Sequence, residues 1–250
     1  MFDDRESAGS GLEIHVGQDS VVGSGRTRVW NVVHKAIHGS AVRPSVVRRQ
    51  VAGRYGRVER LAQHHDKALW EAVKDHDRLW TYMSSYGPFA DFAAFSAWIG
   101  SRLPLDDPYS YAVVEPSGRA VGIATLMEIR PAMRVVEVGH IVYSPALQRT
   151  PLATEAQYLL ARYVFETLGY RRYEWKCNAL NAPSHRAALR YGFVLEGNLR
   201  QHMIAKGRNR DTTYFSMLDS EWPARKAAFE RWLAPENFDR DGRQKTKLGE

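Results

Sequence analysis

The spacing of apolar residues changes several times along this chain, and each change marks an element. Residues 57–61, Arg-Val-Glu-Arg-Leu, alternate like a first strand. Leu69, Trp70, Val73, Leu79 and Trp80 then recur at helical spacing, until Tyr86-Gly87-Pro88-Phe89 breaks the run with turn chemistry. Phe92, Phe95, Trp98 and Ile99 form the stripe of a second short helix. Strands are predicted over 109–114, 120–129 and 135–143, with Glu115-Pro116-Ser117-Gly118 as the hairpin turn between the first two. The clearest helical pattern begins at Thr154, which stands at capping-box spacing from Gln157. It continues through Ala156, Leu159, Leu160, Tyr163, Val164 and Leu168 to a stop at Gly169. Residues 172–177 read as a strand with Tyr173, Trp175 and Cys177 on one face. Asn181-Ala182-Pro183-Ser184 opens another helix, stopped by Gly192, and runs over 193–196, 200–204 and 212–218 make a strand-rich end. The order predicts an α/β (α+β) fold, a mixed, mostly antiparallel central sheet flanked by helices.

The two ends read differently. Gly9, Gly11, Gly17, Gly23 and Gly25 lie among Ser and Asp without a sustained apolar period, so residues 1–52 are expected to be a flexible N-terminal extension. The domain is expected over 53–222. A polar C-terminal tail follows over 223–250, in which Phe229 and Trp232 would anchor a short helix.

Composition narrows the class of protein. With 44% hydrophobic and 25% charged residues among 250, the chain resembles an ordinary globular protein. The single cysteine, Cys177, excludes an internal disulfide framework and a cysteine-built zinc site, and points to the cytoplasm; it reads as a packed thiol rather than a nucleophile. The nine histidines are read without a metal site, so no metal is expected. No run of about 18 apolar residues occurs, so no membrane partner is expected. The net charge of +7 suits an anionic partner, yet neither dinucleotide nor P-loop glycine fingerprints are present.

The strand 135–143, its following loop and the helix after it form the most informative unit, because a loop feeding a helix N-terminus is an anion site. Glu137-Val138-Gly139-His140-Ile141-Val142-Tyr143-Ser144-Pro145, then Gln148-Arg149-Thr150-Pro151-Leu152-Ala153-Thr154-Glu155-Ala156, resembles the central strand and acetyl-CoA loop of the GCN5-related N-acetyltransferases (GNAT). Asn181-Ala182-Pro183-Ser184-His185-Arg186, Tyr191-Gly192-Phe193 and Glu196-Gly197 are similar to the second half of that fold, in the branch holding the ribosomal-protein N-terminal acetyltransferases. The resemblance implies acetyl-CoA as co-substrate and a primary amine as acceptor, either a protein N-terminus or a small molecule, joined by direct attack in a ternary complex. The backbone of Ile141, Val142 and Tyr143 would bind the pantetheine. Gln148, Arg149, Thr150, Leu152, Ala153 and Thr154 would hold the pyrophosphate, while Asn181 and Ser184 would close over the arm and thiol.

Two positions depart from the family pattern. Pro151 stands where a glycine belongs and lacks an N–H, a loss for which Arg149 or the Thr154 hydroxyl would compensate. Ala188 stands where many members carry the tyrosine that protonates the departing thiolate; Ser184 is the replacement, and Tyr191 is expected to pack. The general base is Glu137 or His140, with Glu196 third. Strand alternation would point Glu137 and His140 to opposite faces. Tyr82, Tyr86 and Phe89 are expected at the acceptor entrance, and the basic turn over 206–211 is a solvated hairpin or part of that mouth. Two other readings use the same residues: a noncatalytic acyl-CoA sensor, suggested by Pro151 and Ala188, and a nucleic-acid or ribosome-associated protein, suggested by the charge. The CoA phosphates account for part of the charge, which then no longer argues for nucleic acid; a homodimer is compatible with either enzyme or sensor.

Overall fold

The computed structural model describes residues 50–249; of the extension expected over 1–52, residues 1–49 lie outside them. Eight strands make one sheet: β1 (Gln50–Ala52), β2 (Arg57–Arg60), β3 (Tyr109–Val114), β4 (Ala120–Arg130), β5 (Val135–Tyr143), β6 (Arg172–Asn178), β7 (Val194–Ala205) and β8 (Arg208–Leu218). Their spatial order is β1-β2-β3-β4-β5-β6-β8-β7, and only β5 and β6 run parallel. The expected mixed, mostly antiparallel sheet is present. The helices are α1 (Asp66–Val73), α2 (Phe92–Arg102), α3 (Pro151–Arg162), α4 (Ala182–Arg190) and α5 (Trp222–Leu233). No helix among the described residues is long and apolar enough to cross a membrane.

Alternation along the strands sends side chains to two cores, one on each face of the sheet. On one face Val113, Leu126, Val138 and Trp175 pack under Leu160 of α3 and Phe229 of α5. On the other, Ala112, Val114, Ile123 and Val142 pack under Leu69 of α1 and Phe95 of α2. Asp91 caps α2 by accepting from the Ala94 amide at 2.8 Å.

Helix α3 begins three residues earlier than its apolar pattern suggests. Thr150 is its N-cap, accepting from the Ala153 amide at 3.2 Å, and Pro151 occupies the first turn. Proline suits that place because its fixed φ is helical and the first turn needs no donor from it. Thr154 and Gln157 do not form the expected box. The Thr154 hydroxyl accepts from Arg190 Nη1 at 3.1 Å, and Gln157 Nε2 donates to Tyr143 Oη at 2.7 Å. The helix closes through a π-turn, Tyr163–Thr167, before Gly169 at φ +64°.

Order also extends past the expected boundaries at both ends. Val51 of β1 is buried, and α5 stacks Trp222 on Tyr158 while burying Phe229, Trp232 and Leu233. These apolar residues recur on one side of a helix, so the segment after 222 is core rather than tail until Leu233. The strand-rich end is one long hairpin that turns at Lys206-Gly207, so Arg208 to Asp211 belong to β8 and not to a loop. β7 is the sheet's open edge, and its pairing with β8 is interrupted by two irregularities.

One buried carboxylate fastens the first strands to α3. Glu155, 4% exposed, accepts from the amides of Arg54 at 2.6 Å and Tyr55 at 2.7 Å. A Cβ at Gly53 would stand 2.2 Å from its carboxyl carbon, so the turn passes there only as glycine. Glu155→Ala strands two backbone donors and is expected to cost about 2–4 kcal/mol; urea denaturation measures it, and Gly53→Ala should show a loss in the same direction.

Candidate functional site

The site forms where β5 leaves β6. The two strands pair only from Val135↔Arg172 to Val138↔Trp175; beyond that, β6 pairs with β8 alone among the described residues. At the same place β5 bulges against β4. The register steps from Thr125↔Gly139 to Ile123↔Val142, so His140 and Ile141 together oppose Ala124, and His140 takes φ +47°. The extra residue reverses the alternation: Val136 and Val138 enter the α3-side core, whereas Val142 enters the α1/α2-side core. Glu137 and His140 therefore share the α1/α2 face, contrary to the expectation of opposite faces.

Glu137 is buried, 3.0 Å from Lys176 Nζ on β6. Its register neighbour Glu174 is 3.6 Å from the same ammonium and also meets Arg172 at 2.7 Å and Arg130. The two carboxyls diverge for that reason. Burial pushes Glu137 up to about 7, against the single pull of Lys176. Glu174 is also raised by burial, but Arg172, Lys176 and Arg130 outweigh that and hold it below its ordinary value. Glu196 is committed elsewhere: Arg172 grips both its oxygens at 2.6 and 2.5 Å, Ser216 Oγ donates to it, and its pKa falls to about 2. A carboxylate so held is a strut between strands and a poor base.

His140 meets the Tyr86 ring edge-on, with centroids 5.5 Å apart. Burial, followed by the charges of Arg102 and Arg210, lowers its pKa to about 4, so it is neutral at physiological pH. Tyr82 Oη donates to the Leu180 carbonyl at 3.0 Å and links this side to the β6–α4 turn. Phe89 is half-buried and sits among the rings of Trp80, Trp98 and Phe95, 5.2, 5.3 and 5.4 Å away.

The other face holds the remaining pieces. Asn181 caps α4 by accepting from the Ser184 amide at 3.2 Å, and Ser184 Oγ accepts from Trp175 Nε1 at 3.0 Å. Tyr191 packs between Trp175 and Phe229 as expected. Cys177 is buried, which raises its thiol pKa and keeps it protonated. Ser184 therefore lies on the face opposite Glu137 and His140, and the gap between β5 and β6 joins the two.

The loop before α3 uses several of its own donors. The Gln148 amide bonds to Ser144 O, the Thr150 amide to Leu147 O and the Ala153 amide to Thr150 Oγ1; Pro151 has none. This leaves the amides of Arg149, at φ +64°, and Leu152 to face an anion. Gln148 Nε2 donates to the Tyr143 carbonyl at 2.8 Å, so that edge group of β5 is already engaged. The Thr154 hydroxyl is buried, and its oxygen accepts from Arg190 Nη1. Beside the loop lies a cleft of about 620 Å³, with the mixed-charge run Lys74, Asp75, His76, Asp77 and Arg78 on one wall and Pro145 and Gln148 on the other. That run carries no periodic signal in the sequence.

Glu59, His64 and His65 place possible metal-ligand atoms within 4.8 Å of one another. His65 Nδ1 accepts from the Ala62 amide, so its Nε2 donates to Glu59, which also binds Arg57. A metal there would have to break this network.

The family description "Acetyltransferase (GNAT) domain" matches residues 58–194, over half of the chain. The chain belongs to the GNAT acetyltransferase family. A GNAT structure from Brucella melitensis is 50% identical and superimposes with a TM-score of 0.80, covering 82% of this chain and 95% of that one. A GNAT-family structure from Chromobacterium violaceum is 40% identical, with a TM-score of 0.72, covering 76% and 96%. The ribosomal-protein-serine acetyltransferase of Escherichia coli is 28% identical over 102 residues, 40% of this chain and 56% of that protein. The chain thus spans less than two thirds of that curated relative's length, and its likeness supports the branch named for ribosomal-protein acetyltransferases.

In this GNAT domain the titration of Glu137 is directly checkable. Infrared difference spectra of wild type against Glu137→Gln should isolate one carboxyl with a midpoint near 7, moved higher by Lys176→Met because the opposing cation is gone. A midpoint at or below about 5 would refute the assignment.

Proposed function

We propose that the protein transfers the acetyl group of acetyl-CoA to a primary amine by direct attack in a ternary complex. The observation that carries this reading is the opened edge of β5, with a buried carboxyl near neutrality on one face and a hydroxyl free to donate on the other. The edge of β5 beyond Val138, where β6 no longer pairs, suits an extended amide-bearing arm. The Arg149 and Leu152 amides, the Arg149 side chain and the N-terminus of α3 suit a pyrophosphate. Acetyl-CoA supplies an activated thioester; the remaining work is moving protons.

Glu137 is the better base by magnitude. A peptide α-ammonium has a pKa of about 7.7–8.0, so transfer to a group near 7 costs about 1 kcal/mol. Transfer to His140, near 4, costs about 4 kcal/mol more. A lysine-like amine near 10.4 would cost about 4–5 kcal/mol even with Glu137, which favours an α-amine acceptor. The neutral amine forms its bond to the acetyl carbon as the carbon–sulfur bond breaks. The thiolate then takes the Ser184 proton, since that oxygen accepts from Trp175 and its own hydrogen points elsewhere, and the hydroxyl recovers one from solvent. The second proton of the new amide nitrogen and the one held by Glu137 pass to solvent, so the net yield is the amide, free CoA thiol and one proton.

The shortened phosphate cradle favours one other reading, an acyl-CoA sensor, which predicts cofactor binding without transfer across a broad panel of amines and peptides. Mass spectrometry of acetylated products, together with calorimetry of acetyl-CoA binding, separates the two. For the enzyme, Glu137→Gln should lower kcat about 10²-fold or more while leaving acetyl-CoA affinity nearly unchanged, and should remove the fall in rate below pH 7. Unchanged turnover would take Glu137 out of the mechanism. Pro151→Ala returns an amide to the loop and should tighten acetyl-CoA binding about threefold to tenfold.

A further inference from the structure

The side chains gathered around His140 are rich in donors. Arg102, the last residue of α2, places its guanidinium carbon 5.6 Å from the Tyr86 ring and 5.8 Å from the Trp98 ring. Tyr86 and Trp98 lie 4.9 Å apart, and Tyr86 in turn meets His140. From the opposite side Arg210 of β8 donates Nη1 to Ser84 Oγ at 2.6 Å, two residues before Tyr86. Four polar atoms around this ring are buried without a hydrogen-bond partner: Tyr86 Oη, Trp98 Nε1, Arg102 Nε and Arg210 Nε. Each carries a hydrogen to give, and no ion pair among the described residues involves either arginine. The nearest basic neighbour, Lys206, is already held by the carbonyls of Trp80 and Gly87. Both guanidinium charges act on His140, whose neutrality leaves the positive field unanswered. A planar anion with several acceptor positions fits such a set, because guanidinium groups match carboxylates in geometry and charge.

We propose that the acceptor carries a carboxylate within a few bonds of its amine, and that Arg102, Arg210 and the Tyr86 hydroxyl bind that carboxylate. This deepens, and rests on, the acetyl-transfer reading. The carboxylate comes either from an acidic side chain beside a peptide N-terminus or from the carboxyl group of a free amino acid. Polyamines, positive along their whole length, are repelled by the same field.

The test compares acceptors that differ only in that group: Ser-Asp-Ala against Ser-Asn-Ala, free serine against serinamide, with spermidine as polycation. With the full chain and acetyl-CoA, the carboxylate member of one pair should win by at least about tenfold in kcat/KM, about 1.4 kcal/mol, and spermidine should be poorest. The pair that shows the preference identifies the source of the carboxylate. Arg102→Gln and Arg210→Gln should each collapse the ratio toward one, and Arg102→Lys should restore part of it. Equal rates within both pairs, or an unchanged ratio in both glutamine variants, overturns the proposal. A second arm needs no transfer: tryptophan fluorescence titrations with the same compounds, without acetyl-CoA, read binding beside Trp98. Discrimination there with no acetylation keeps the carboxylate site and removes the enzyme reading, whereas acetylation without discrimination in either arm does the reverse. Melting curves by circular dichroism identify any variant that fails to fold, and the conservative lysine variant then decides.

Discussion

The placement of Glu137 and His140 depends on β5 losing β6 as a partner at the point where it gains an extra residue against β4. Had the strand continued regularly, Val142 would turn into the α3-side core and His140 would lie beneath α3. The bulge prevents both. It returns Val142 to the α1/α2 side, brings His140 against Tyr86, and bends the strand away from its parallel neighbour. A gap, a shared face for two titratable residues and a route between faces all follow from one residue in an unusual backbone conformation. Gly139 assists, because a Cβ there would meet Met127 Sδ at 2.6 Å and Glu137 Oε1 at 3.2 Å.

The charge pattern around that strand is graded rather than balanced. Glu174 and Glu196 are surrounded by arginine and sit firmly ionised, holding β6, β7 and β8 in register. Glu137 shares one lysine and loses most of its water, so its proton is easily exchanged. Further along, the charges of Arg102 and Arg210 act on His140, and no ion pair among the described residues involves either arginine. The surroundings of β5 thus pass from acid-rich to cation-rich along its length. Such a gradient orients a substrate that is positive at one end and negative at the other.

Much of the architecture was legible in the hydrophobic pattern. The order of strands and helices, the hairpin at Glu115 to Gly118 and the strand–loop–helix unit around Gln148 all appear where periodicity places them. What escaped has definite causes. Pro151 reads as a breaker, yet at the first turn of α3 it starts a helix, so Thr154 seemed to be the cap that Thr150 is. A positive φ at a histidine leaves no mark in the sequence, so the bulge and the shared face of Glu137 and His140 were invisible. Helix α5 hides its apolar stripe among charged residues. Glu137 was read through family resemblance and Arg210 within the basic turn over 206–211, while Arg102, at the end of α2, was missed because only the folded chain brings it beside Tyr86.

The exposed strand β7 offers a last consequence. Twelve residues long and carrying Val194, Leu195, Leu199 and Ile204 in the open, it has the makings of an edge to which other chains could add. Its register with β8, however, is continuous only for runs of two, three and three paired residues, with Gln201 at φ +51° in the second break. A strand arriving from another molecule would find no stretch long enough to lock its backbone in rhythm. The irregular edge disfavours strand addition along so apolar a border.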